Sequence, residues 1–242
     1  MMVRAQEGPR ARYREQTRSE IKQTALGQLA ESGVGALALT RVAKEMGLSG
    51  PALYRYFANR DDLLSALIRD AYDDAAAAVG QAAAEAEARG RSPRERLREL
   101  ADAYRAWAID EPHRYLLIQG APVPGYVAPD DTRGRARAVL GPFLPVFANG
   151  TPEAGLAALV VEMTDWLAED ESVGAWVAEY APDVLGDLRA PSYALAGTVL
   201  VWAQLHGSVG LEAAGNFTGM GHGGGTLLMA QLNLLADAFA LR

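Results

Sequence analysis

The chain contains no cysteine, which excludes a disulfide framework, thiolate metal sites and a cysteine nucleophile together. Histidine is scarce: His113, His206 and His222 are the whole supply, and no two of them stand at ligand spacing, so no metal site is expected. Val/Ile/Thr alternation never runs long enough to argue a strand, which leaves an all-α fold. Reading for apolar, charge-free stretches of about 18 residues finds no membrane span, and no secretory signal opens the chain, so a cytoplasmic protein is expected. No glycine loop of the phosphate-cradling kind is present, and no cofactor is expected. Positive charge is also in short supply. Lys and Arg number 23 against 30 Asp and Glu, a net charge of −7 that on its face argues against nucleic acid.

The way the charge is distributed argues the opposite. Residues 1–60 hold ten Lys/Arg against five Asp/Glu, and residues 61–242 hold thirteen against twenty-five. A basic module precedes an acidic body, and the body's repulsion would turn the basic head toward DNA. Hydrophobic residues make up 50% of the 242, enough for a sizeable core. Residues 1–13, with Arg4, Arg10 and Arg12, read as a disordered basic arm able to lie on DNA.

Thr40 to Arg60 carry two short helical patterns split by Gly47-Leu48-Ser49. Thr40 is suited to an N-cap, Val42, Ala43 and Met46 share one face, and Gly47 can take the positive φ of a helix end. Ser49 caps again and Pro51 fits the first turn of the second helix, where a missing N–H costs little. Leu53 and Phe57, four apart, face inward, which leaves Tyr54, Arg55 and Tyr56 outward. Phenols beside a guanidinium on an outer face make sense against phosphates. This is the pattern of a helix-turn-helix whose second helix enters a groove of DNA.

These residues resemble the TetR family of transcriptional regulators over roughly Arg14 to Ala71. The resemblance rests on Glu31-Ser32-Gly33 closing a helix, the Thr40 position, Ala43…Gly47-Leu48-Ser49, Leu53-Tyr54-Arg55-Tyr56-Phe57, and a basic residue before Asp61-Asp62-Leu63-Leu64. The family usually has lysine where Arg60 stands. Pro112-His113-Arg114-Tyr115, Pro122-Val123-Pro124-Gly125-Tyr126 and Trp202…Leu205-His206-Gly207 are similar to an actinobacterial-type TetR effector domain. The resemblance implies a three-helix DNA-binding domain over 14–60 and a larger helical effector and dimerisation domain over 61–242. It implies DNA contacts from Thr40, Arg41, Ser49, Pro51, Ala52, Tyr54, Arg55, Tyr56 and Arg60. It also implies a homodimer through the last two helices and a small-molecule effector.

Beyond the head the chain reads as helices almost throughout. Asn59 caps a helix from about 60 to 89, whose second half, Ala75 to Ala88, is thinly apolar. Helices follow at about 93–109, 113–119, 131–148 (kinked by Pro142 and Pro145), 152–168 and 172–180, with a loop over 120–131. In the helix from Pro191 to Glu212, Leu195, Val199, Trp202, His206 and Val209 form a stripe. The helix from Thr226 to Leu241 is apolar on more than one side. Either one monomer's core or a seam between two subunits would satisfy both, and the resemblance implies the seam.

An enzyme is not expected. His222-Gly223-Gly224-Gly225 has the look of an esterase oxyanion motif, but His206-Gly207-Ser208-Val209-Gly210 puts histidine where a nucleophile elbow needs glycine. Helical domains bind small molecules between helices. An effector pocket is therefore expected to draw on some of the aromatic set Tyr104, Trp107, Tyr115, Tyr126, Trp166, Trp176, Tyr180 and Trp202, with polar contacts from His113, Gln119, Asp165 or His206. The expected function is a repressor that binds a palindromic operator as a dimer and is released by a small apolar, aromatic effector. The competing reading is a helical protein-interaction module that does not bind DNA.

Overall fold

The computed structural model describes residues 8–119, 125–184, 186–187 and 189–242, and every regular element among them is helical. The chain divides into two compact units, one of Met1–Asp70 with Gly120–Pro129, the other of Ala71–Gln119 with Asp130–Arg242. The division falls at Asp70 rather than near residue 60. The reason is that the long helix opening at Arg60 puts Leu63, Leu64 and Leu67, all fully or almost fully buried, into the first unit before it continues into the second.

In the first unit α1 spans Pro9–Ser32, with proline in its first turn and Ile21, Ala25 and Leu29 buried four residues apart. The arm expected over 1–13 is therefore helical from Pro9 onward, and residues 1–7 lie outside the described residues. Gly33 ends α1 at φ +72. α2 (Leu39–Glu45) starts one residue before the expected cap: Ala38 takes the extended N-cap conformation, and Thr40 sits inside the helix, exposed, with no capping bond. Gly47 turns the chain at φ +64, and Leu48 N–H reaches back 2.8 Å to the carbonyl of Ala43, a helix-end closure that needs the left-handed residue. α3 is short, Gly50–Leu53, and Tyr54 to Tyr56 continue as turn rather than as the longer helix expected. α4 (Arg60–Ala88) begins where Asn59 Oδ1 accepts Asp62 N–H at 2.8 Å while Asp62 returns a carboxylate oxygen to Ala58 N–H.

The second unit holds α5 (Pro93–Asp110), α6 (Pro112–Gln119), α7 (Asp131–Leu140), α8 (Leu144–Phe147), α9 (Ala157–Glu169), α10 (Glu171–Tyr180), α11 (Ala190–Ala213) and α12 (Gly224–Ala238). Ser92 and Glu95 form a reciprocal capping box at the start of α5. Pro142 interrupts the helix expected over 131–148, leaving a 3-10 turn at Gly141–Phe143 between α7 and α8. α11 is the central helix and packs against α5, α6, α8, α9 and α12.

α11 departs from expectation in two ways. It is long and apolar enough by length and composition to cross a membrane, but half of its apolar window is buried inside this unit, as a core helix requires. The stripe along it is not one face: Leu195 and Val209 are fully buried, whereas Trp202 and His206 are exposed. The apolar surface left uncovered lies elsewhere. α9 carries Ala157, Ala158 and Val161 exposed and buries none of its residues. α11 and α12 expose Ala203, Gly207, Leu211, Ala230 and Leu234.

Candidate functional site

Two sites emerge, one in each unit. In the first, Leu53 and Phe57 are buried and pin the turn after α3, so that Tyr54 and Arg55 project outward and Tyr56 is half-buried. A residue that the sequence pattern does not single out holds this turn in place. Arg18, on α1, donates to the carbonyl of Tyr56 at 2.7 Å and lies 4.1 Å over the Phe57 ring. Thr40, Lys44, Ser49 and Pro51 are exposed and Ala52 is half-buried.

Two of the expected DNA contacts have other partners. Arg60 donates from Nη2 to the Val34 carbonyl at 2.8 Å and from Nε to the Leu37 carbonyl at 3.1 Å, and pairs with Asp61. It closes the 3-10 turn at Val34–Ala36, a task that suits a planar fork of donors. Arg41 is held between Glu31 and Glu45. The outward basic groups in this unit therefore include Arg55, Lys44 and the α1 residues Arg10, Arg12 and Arg14.

In the second unit a cavity of about 370 Å³ opens between α5, α6, α7, α9, α10 and α11. Five of the expected ligand contacts line it: Tyr104, Gln119, Trp166, Trp176 and Trp202. His206 stands one step behind, with Nδ1–H donating to Gln119 Oε1, and Gln119 Nε2 donates to the Tyr104 hydroxyl at 3.1 Å. Burial, with the nearby Tyr115, pushes the Tyr104 phenol well above its ordinary range, and burial raises Tyr72 as well. Both stay neutral near pH 7 and act as hydrogen-bonding hydroxyls.

The other expected contacts lie outside the lining. Trp107 packs 5.7 Å from the Tyr104 ring, and Tyr115, fully buried, stands edge-on to both. His113 and Asp165 are exposed and absent from the wall. Tyr126 belongs to the first unit, where its hydroxyl lies 3.0 Å from Ser65 Oγ.

Arg133, Arg137 and Thr198, also in the wall, are not foreseen from the sequence. Trp176 stacks under Arg137, 5.6 Å away, and donates from Nε1 to the Arg137 carbonyl at 3.0 Å. Arg133 and Arg137 both line the cavity, one turn apart on α7. Thr198 lines it from α11. The spacing of the two arginines is visible in the sequence, but nothing there says which way α7 faces.

The same wall helices are tied to α4. Arg114, on α6, pairs with Asp74, and Arg135, on α7, pairs with Asp73. Tyr72, from the adjoining turn of α4, lines the cavity.

A helix-turn-helix unit followed along the chain by a helical unit with an aromatic-lined cavity is the build of a DNA-binding transcriptional regulator. Residues 21–67 match the family described as bacterial regulatory proteins, tetR family, and residues 97–235 match the tetracyclin repressor-like C-terminal domain. The chain is 34% identical over 236 residues to the HTH-type transcriptional regulator Rv1816 of Mycobacterium tuberculosis H37Rv, covering 96% of each. It is similar to the crystal structure of the regulatory protein SCO4313, with 42% identity and a TM-score of 0.73, covering 95% of this chain and all of that one. The regulator FadR of Bacillus subtilis, solved in complex with stearoyl-CoA, shares the fold at 14% identity and a TM-score of 0.54, covering 91% of this chain and 98% of that one. The chain belongs to the TetR family of bacterial transcriptional regulators, with a helix-turn-helix DNA-binding domain, and is not an enzyme.

Proposed function

We propose that the protein is a repressor that binds a near-palindromic operator as a homodimer in the cytoplasm and is released by a small aromatic effector. The observation that carries this reading is the cavity together with its attachments. The wall helices α6 and α7 are ion-paired to α4, and α4 is the helix that continues from the DNA-binding unit. A ligand that repositions α6 and α7 would shift α4, and with it the separation of two DNA-reading heads in a dimer. Paired heads need a separation near one helical turn of DNA, about 34–36 Å, so a small displacement suffices.

Tyr54, Tyr56, Thr40 and Ser49 are assigned to phosphates, and Pro51, Ala52 and Arg55 to base edges. Arg41 and Arg60 are assigned to holding the head together. The dimer is assigned to the outer faces of α11 and α12. There the groove between Leu200, Ala203, Gly207, Leu211 and Leu227 also presents Gln204, whose buried amide oxygen has no hydrogen-bond partner among the described residues. A donor from a second subunit would satisfy it.

Footprinting of the upstream region of its own or a neighbouring gene tests the first half. Two symmetric half-sites are expected, and a single asymmetric one would rule out the dimeric arrangement. Titrating a bound effector against free and operator-bound protein tests the second half. Linkage requires it to bind the DNA complex more weakly by the factor with which it weakens DNA binding.

A further inference from the structure

We infer that the effector is an aromatic monocarboxylate carrying a hydrogen-bonding group at its opposite end, a statement that rests on the cavity being the effector site. Three observations converge on it. The walls are aromatic: Trp166, Trp176, Trp202 and Tyr104 bracket a space suited to a flat ring system. The charge of the lining has one sign. Arg133 and Arg137 belong to it and no carboxylate does. Arg137 is already committed, donating to the Ser172 carbonyl and hydroxyl at 3.0 Å and facing Asp170 at 3.8 Å. Arg133 is exposed and has neither ion pair nor hydrogen bond among the described residues, with Asp170 as its electrostatic neighbour. It is a guanidinium on the rim, able to take a carboxylate through two parallel bonds. A cationic effector would meet two guanidinium groups and no carboxylate in the lining.

The third observation is Thr198. Its side chain is 1% exposed, lines the cavity from α11, and its hydroxyl has no hydrogen-bond partner among the described residues. A helical threonine ordinarily bonds back to the carbonyl one turn earlier, as Thr164 does to Val160 at 2.9 Å. Thr198 does not, so a buried hydroxyl is left for a group that enters the cavity. Arg133, exposed on α7, and Thr198, buried on α11, both belong to the aromatic lining and are assigned to the two polar ends of the ligand.

The probes are 6-hydroxy-2-naphthoate, 2-naphthoate lacking the hydroxyl, and 6-(aminomethyl)-2-naphthol with an ammonium in place of the carboxylate. Binding is read by quenching of tryptophan fluorescence and by thermal shift. The hydroxynaphthoate should bind tightest. Each replaced group should cost about tenfold in Kd, the value of one hydrogen bond to a charged or buried partner. Arg133→Met should abolish the preference for the carboxylate over the ammonium and leave the hydroxyl preference. Thr198→Val should abolish the hydroxyl preference and leave that for the carboxylate. Thr198→Val removes an orphaned polar group without changing shape, so its thermal stability should equal or exceed wild type and folding will not confound the result. Ammonium binding as tight as carboxylate binding overturns the inference, as do preferences unchanged in the two variants or the absence of binding by all three probes. Operator binding by the same samples is scored separately, so loss of the ligand class is distinguishable from loss of the regulator reading.

Discussion

The ring of Phe147 rests on the bare α-carbon of Gly197, so closely that a β-carbon at position 197 would overlap it. This contact seats α8 against α11, and Phe147 in turn meets Phe239 edge-on at 4.9 Å. Gly197 also precedes Thr198, so the register of α11 at the cavity wall is set by the same contact. Glycine inside a helix ordinarily costs stability relative to alanine by about 1 kcal/mol. Here the sign reverses: Gly197→Ala should destabilise by about 1–3 kcal/mol through overpacking. Urea unfolding of both proteins measures the difference, and a neutral or stabilised variant would show that Phe147 yields freely.

The proposed dimer seam needs surface substitutions to test it. Val209 and Leu232, the obvious mid-seam choices from sequence, are fully buried within the single chain, and a charge at either would unfold it. Leu234, 69% exposed, and Ala203 are the better sites. Leu234→Glu and Ala203→Glu should give folded monomers, with helical content retained on circular dichroism. Sedimentation showing wild-type dimers for both would place the interface on another face, and the uncovered apolar surface of α9 would be next.

On the DNA-reading unit, the assignments separate by salt dependence. Arg55→Ala should relax base preference at one position of each half-site, and Tyr54→Phe should weaken all sequences alike. Arg60→Ala should act differently from both. It strips the donors from the Val34 and Leu37 carbonyls and should lower stability by about 1–3 kcal/mol, leaving the slope of log Kd against log salt unchanged. A slope reduced by about one for Arg60→Ala would return it to the phosphate contacts.

The coupling between cavity and DNA is expected to run through Asp73–Arg135 and Asp74–Arg114. Replacing both arginines by glutamine should leave effector and operator each bound but reduce the factor by which one weakens the other. Measuring that factor in wild type and variant is a thermodynamic cycle, and an unchanged factor would exclude these pairs as the route.

A pH effect follows from the capping box. Glu95 accepts Ser92 N–H and interacts with its hydroxyl, with Arg91 beside it, and its carboxyl is held below its ordinary value of 4.5. A depressed folded value contributes stability that is present above 4.5 and is lost as pH falls through the depressed value. Glu95→Gln should therefore flatten the dependence of stability on pH in that acid window and leave the slope near neutrality unchanged.

Much of the head is legible in sequence because its signals are local. Gly47 turns the chain through a positive φ that the sequence marks with glycine, Asn59 caps α4 one residue away, and Leu53 and Phe57 are four apart on one short segment. Thr40 misleads as a cap because neighbouring residues compete for one helix start, and the fold gives it to Ala38. Arg60 misleads, and Arg18 goes unmarked, because charge alone does not reveal which carbonyl a guanidinium will find. Those partners, Val34, Leu37 and Tyr56, lie 23 or more residues away along the chain.

By itself the sequence determined the helical class, the helix-turn-helix and the charge division between head and body. Periodicity, caps and turn residues act within a few positions of one another, and they need no tertiary context. Which aromatic rings line a cavity was decided only by tertiary packing. Tyr104, Trp166, Trp176 and Trp202 converge from four helices, while Tyr115 and Trp107, of the same chemistry, stand behind the wall. A helix shows its apolar face in its sequence, but rotation about its axis and its neighbours are set by how all the side chains fill one core.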